Sequence, residues 1–243
     1  AGSQLKIIVR AFVLLDTHGT VVPVSSLPLP IISEAMCGAF EQHNKAIHRW
    51  AEILTDWPVD VQDRFDVRPT MNAGTVDARG YRERSWSLIP GWAKAPRLAY
   101  STFNARAETV SEKSTFRSAW RKSQRCIVPV SAYFEWPIID GVKRCHRITG
   151  SDGLPLLLAG LWDTWVGDDE RHTFTVLTTQ PVSQIDWVHH RMPLLLDADN
   201  IAEWLHGSVD QASRLLTART ERRLSAAPFI MRPGPTGDLF ADC

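Results

Sequence analysis

The run Cys126-Ile127-Val128-Pro129-Val130-Ser131-Ala132-Tyr133-Phe134-Glu135-Trp136 decides the fold class. Its β-branched and aromatic residues predict a strand. One charged side chain, Glu135, stands inside it. Downstream, His146–Ile148, Leu154–Trp165 and His172–Thr178 have the same strand character, with Gly/Asp turns at Gly150–Gly153 and Gly167–Asp169. Upstream, Ser85–Trp92 is strand-like, and Phe65 and Val67 begin an extended segment checked by Pro69. Helical spacing is found in residues 39–56, through Phe40, Ile47, Trp50, Ala51 and Leu54, before Pro58 stops it. Short helices are also predicted at Ser111–Lys122, Ile201–Leu205 and Gln211–Leu216, and an irregular tail from Pro228. The succession predicts an α+β fold: a mixed, largely antiparallel, barrel-like sheet surrounded by helices.

The chain has 243 residues, 44% hydrophobic and 22% charged, which is globular composition and excludes disordered and fibrous classes. No apolar run reaches the roughly 18–20 residues that a helix needs to span a bilayer. Residues 1–36 hold two strand-like pieces joined at His18-Gly19 and make a poor secretory signal. They read as an N-terminal extension to a single domain over 37–243. Four cysteines (Cys37, Cys126, Cys145 and Cys243) without a C-x-x-C pair predict a reduced, cytoplasmic protein. Eight histidines at no zinc-ligand spacing point to no metal.

Net charge is zero, but Arg79–Arg147 holds 14 Lys/Arg against 5 Asp/Glu. A basic middle in a neutral chain is what a polyanion groove would require, and Arg106 and Arg117 are its candidates. Scattering over several faces is the ordinary alternative. Four further features stand out: Cys37 after a Met, polar Asn104 and its neighbours in an apolar setting, Glu135 within its strand, and His189-His190-Arg191. Each alone has a structural reading, since a single Cys is usually a small buried hydrophobe.

Together their order resembles the SOS response-associated peptidase (SRAP) family. The pieces are Met36-Cys37-Gly38-Ala39-Phe40, Arg64-Phe65-Asp66-Val67-Arg68-Pro69-Thr70, Trp86-Ser87-Leu88-Ile89-Pro90-Gly91-Trp92-Ala93 and Asn104-Ala105-Arg106-Ala107-Glu108-Thr109. Phe116-Arg117, Arg125–Pro129, Tyr133–Trp136, Leu177–Thr179 and His189-His190-Arg191-Met192-Pro193 follow in family order.

The resemblance implies covalent cross-linking to abasic sites in single-stranded DNA, shielding the lesion in a DNA damage response. The α-amine of an N-terminal Cys37 condenses with the C1′ aldehyde, and its thiol closes a thiazolidine. Proximity makes the second step unimolecular, and an α-amine is partly neutral at cellular pH. His189 is suited to proton transfer at the sugar ring oxygen, Glu135 to proton management, and Asn104 to holding cysteine and sugar. Arg106 suits a phosphate, while Trp86 and Pro69 lie in segments implied to contact flanking bases. No cofactor, membrane or obligate protein partner is implied, and a cytoplasmic protein would associate with the nucleoid when DNA-bound.

Several positions depart from the family pattern. Ala39 stands for Arg, Asp66 for Asn, Arg68 for Ala, Ser87 for Gly and His190 for an acid. While residues 1–36 remain attached, Cys37 carries an amide and no free amine. Translation starting at Met36, removal of the segment, and a member that does not cross-link in this form all stay open. So do a thiol peptidase using Cys37 and His189, with lyase chemistry beside it, and a non-covalent single-strand binding module.

Overall fold

The decisive run forms not one strand but two, divided at Ser131, and each half enters a different sheet. A computed structural model describes residues 38–54 and 56–231. Cys37, the two strand-like pieces of residues 1–36 and the end of the tail lie outside the described residues.

The strands, in order, are β1 (Ala39–Gln42), β2 (Arg64–Val67), β3 (Asn72–Asp77), β4 (Gly80–Trp86) and β5 (Asn104–Arg106). Helix α1 (Asn44–Ile47) lies between β1 and β2, and helix α2 (Ser114–Arg121) follows β5. Next come β6 (Arg125–Val130), β7 (Ala132–Glu135), the small hairpin β8 (Ile138–Ile139) and β9 (Val142–Lys143), then β10 (His146–Gly150). The long β11 (Leu156–Val166) and β12 (Glu170–Thr179) are followed by β13 (Met192–Pro193). Helices α3 (Ile201–His206) and α4 (Val209–Leu215) and strand β14 (Leu224–Pro228) complete the described chain.

Strands β11, β6, β3, β4 and β12 pair in succession, and β12 pairs back to β11, so five strands close into a barrel. Only the β4–β12 contact in that ring is parallel. Closure leaves these strands no open edges. A second sheet, in the order β14-β10-β7-β1-β2, is antiparallel throughout. The expectation of a mixed, largely antiparallel barrel-like sheet with helices around it is met.

Alternation along the strands sorts the apolar residues into two cores. Cys126, Val128 and Val130 of β6 join Trp86, Leu156, Leu158, Phe174 and Val176, together with Phe40, Tyr133 and Ile148 from the second sheet. Ile127, Leu157, Ala159, Leu161 and Leu177 face the other way, where Phe116, Trp120, Trp204 and Leu215 of the helices cover them. A Cβ at Gly160 of β11 would come 2.9 Å from Cys126 Sγ and 2.9 Å from the Thr175 carbonyl, so the barrel wall there requires glycine.

The helix predicted over 39–56 begins as strand β1, and only α1 and a 3-10 turn at His48–Trp50 follow. Pairing to β2 on one side and β7 on the other outweighs the local helical spacing. The basic middle does not form one groove. Arg84 and Arg125 are buried. Arg84 is paired with Asp77, Arg125 donates to the Trp204 and Gly207 carbonyls, and Arg147 is held by Glu41.

Candidate active site

Glu135 is the last residue of β7 and is buried. Its cross-strand partner on β10 is His146, also buried. On the other side of β7, Ala39 pairs with Phe134. Carried one step further, that register puts Gly38, the residue that follows Cys37, beside Glu135. The sequence therefore delivers its one buried acid of this strand next to the start of β1.

Asn104 opens β5, which runs parallel to β12 with Asn104 opposite Val176. The carbonyl of Phe103, just before it, accepts from Val176 N–H at 3.0 Å and from Trp86 Nε1–H at 2.7 Å. Trp86 is fully buried, packed at 4.8 Å from the Phe40 ring, 5.6 Å from Phe103 and 6.3 Å from Phe174. The indole is enclosed and presents no face at the surface. What Trp86 does instead is join β1 to the backbone that presents Asn104.

His189 lies in the turn before β13. Its Nδ1 lies 3.1 Å from the Arg191 backbone N–H and 3.3 Å from the Arg191 carbonyl oxygen, so the Arg191 backbone orients the ring. Arg191 in turn makes a bidentate contact with Glu108, at 2.5 and 2.7 Å, and donates to the Thr178 carbonyl at 2.6 Å. The Arg191 hydrogen bonds hold the Glu108 carboxyl below its ordinary range, against a smaller opposing effect of burial. The acid of one sequence motif and the arginine of another thus lock the Asn104 strand to the His189 turn. Sequence reasoning assigned neither a role, although their opposite charges in two separate motifs were the available signal.

A third link closes the frame. The Trp187 ring meets His146 edge to face, with centroids 5.2 Å apart, and so brings the His189 turn against the Glu135–His146 pair. Pro69, half-buried, follows Arg68, whose guanidinium lies 5.2 Å over the Trp136 ring beside Glu135. Thr70 next to it has φ of 77° and Ser87 has φ of 149°, both in the region that favours glycine. The family's Gly at the second position thus has a backbone reason.

Arg106 is exposed two residues beyond Asn104. Arg117 stands apart: it is exposed on α2, whose opposite side, with Phe116 and Trp120, packs on the helix-covered core. The structure thus joins Asn104, Glu135, His189, Pro69 and Arg106 to one frame and leaves Arg117 outside it.

The two described thiols are not activated. Burial pushes Cys126 up to about 12. Cys145, beside Arg68, Asp66 and Glu135, is pushed up to about 11, again chiefly by burial. Both stay protonated at neutral pH. Among the described residues no group of His, Cys, Asp or Glu is placed to hold a metal ion, and no helix is long and apolar enough to cross a membrane.

The profile of the family described as SOS response associated peptidase (SRAP) matches residues 36–230. The chain belongs to the SRAP family. Its relatives include abasic site processing protein YoqW of Bacillus subtilis, 32% identical over 185 residues, covering 70% of this chain and 80% of that protein. Abasic site processing protein YMR114C of Saccharomyces cerevisiae is 33% identical over 71% of this SRAP chain, which spans 47% of the yeast protein. A crystal structure of a Bordetella bronchiseptica protein superposes with a TM-score of 0.72 at 25% identity, covering 80% of this chain and all of that one.

Proposed function

We propose that this SRAP protein processes abasic sites in DNA, and that it does so by covalent capture of the lesion in single strands through Cys37. The observation that carries the reading is the frame itself: Gly38, Glu135, Asn104 and His189 are tied together by the β1–β7 register, the Trp86 relay and the Glu108–Arg191 pair. The relatives named abasic site processing proteins support the lesion as target. Burial, which pushes the thiols of Cys126 and Cys145 up, disfavours those two as nucleophiles.

The chemistry follows from a domain that starts at Cys37, with residues 1–36 as an extension that must be absent. The free amine adds to the C1′ aldehyde and water leaves, giving an imine. The thiol sulfur then bonds to that carbon, its proton passes to nitrogen, and a thiazolidine results. His189 donates a proton to the ring oxygen during sugar opening. Glu135 takes and returns the amine proton, Asn104 holds the sugar hydroxyl, and Arg106 meets a flanking phosphate. Pro69 borders the flanking bases, while Arg117 contributes only long-range charge.

The test is to compare binding and cross-linking in Glu135→Ala and His189→Ala. Both variants should retain non-covalent binding of an abasic single strand and form adduct more slowly than the wild type. Parallel loss of both would mark the two residues as structural. Cleavage of peptides without any adduct would favour the thiol peptidase, and salt-labile binding alone the non-covalent module.

A further inference from the structure

The turn that leads to His189 carries a large side chain with no part in the steps above. Ile185 and Val188 are 3% and 6% exposed and anchor this turn in the interior core. Backbone bonds from Ile185 N–H to Val182 O at 3.1 Å and from Val188 N–H to Ile185 O at 3.0 Å fix its shape. Between the two anchors, Trp187 is 52% exposed. It is nevertheless held: its Nε1–H donates to the Gln184 carbonyl at 3.2 Å, and its ring stands at 87° to the His146 ring. His146 is the cross-strand partner of Glu135, and His189 is two residues further on. The half-open indole is therefore fixed on the rim of the candidate site.

We infer that Trp187 is the stacking platform for the nucleobase next to the lesion. The inference rests on the DNA reading above. A base beside an abasic position has lost one stacking neighbour, so one of its faces is bare, and an ordered indole replaces the missing partner. Stacking of this kind is tolerant of sequence, because every base presents a π-face.

The experiment uses the full chain and a single strand with a central tetrahydrofuran, an abasic analogue that cannot open to an aldehyde and so isolates non-covalent binding. One strand has thymidine on both sides of the analogue, and the other has further tetrahydrofuran units there. Trp187→Ala should weaken binding to the thymidine-flanked strand about tenfold and leave the base-free strand unaffected. Trp187→Phe should retain most of the affinity, which separates stacking from a folding defect. Equal affinity of Trp187→Ala and wild type for the thymidine-flanked strand would overturn the inference, as would an equal loss on both strands. Wild-type protein that binds neither strand would overturn the DNA reading itself and this inference with it.

Discussion

Two arginine–carboxylate pairs hold different parts of this molecule. Arg84 and Asp77 meet inside the barrel with side chains 0% and 4% exposed, and Arg84 also donates to Thr75 Oγ1. Arg191 and Glu108 meet at the candidate site, where Arg191 is 5% exposed but Glu108 is 43% exposed. The enclosed pair has both charges out of water, so Arg84 cannot lose Asp77 without being stranded, although Asp77 keeps a second contact to Arg79. In the half-open pair, solvent screens the carboxylate and reduces what the contact adds to stability. Its consequence is geometric, because it joins the Asn104 strand to the His189 turn. Stability belongs to the first pair and alignment to the second.

The sharpest way to break that contrast is Asp77→Ala, which leaves the Arg84 guanidinium buried without its counter-charge. The expected loss is about 3–5 kcal/mol in urea denaturation. A loss under about 1 kcal/mol would mean that water reaches Arg84 and that the two pairs do not differ in kind.

Glu108→Gln should cost only about 1 kcal/mol, yet lower the rate of adduct formation more than it lowers affinity for DNA. Arg191 lowers the Glu108 carboxyl pKa in the folded protein. The pair's contribution is therefore complete above the unfolded carboxyl value of about 4.3 and is lost as pH falls through the folded value. Denaturation of wild type and Glu108→Gln should differ by a constant amount between pH 7 and about 5 and converge in stronger acid. A gap that stays constant down to about pH 3 would detach the pair from that titration.

The smallest effect is expected at Ser87, whose φ of 149° suits glycine. Ser87→Gly should raise stability by about 1 kcal/mol, read as a higher thermal midpoint. No gain would show that the side chain repays its strain locally.

Much of this was legible in the residues. Strand character in 126–136, 154–165 and 172–178 follows from local composition, and the corresponding β6, β7, β11 and β12 are present. What local reading misses is which partner a strand meets. Ala39–Gln42 has helical spacing with its neighbours, but two distant strands claim it. Trp86 reads the same whether its ring enters the core or faces solvent, because alternation defines two faces without saying which is inside. Charge counting likewise cannot separate Arg84 and Arg125, which are buried, from Arg106 and Arg117, which are exposed. The site motifs were visible one by one. The Glu108–Arg191 contact between two of them depends on residues 83 positions apart, beyond any local window.

The central claim is capture by the Cys37 α-amine, and the most direct measurement is adduct yield on a denaturing gel with an abasic single strand. A form starting at Met36, from which the initiator Met is removed, should give a stable adduct, and Cys37→Ser in that form should largely abolish it. The form that retains residues 1–36 should give none, because an amide nitrogen cannot condense with an aldehyde. Equal yields from the long and short forms would contradict the α-amine mechanism.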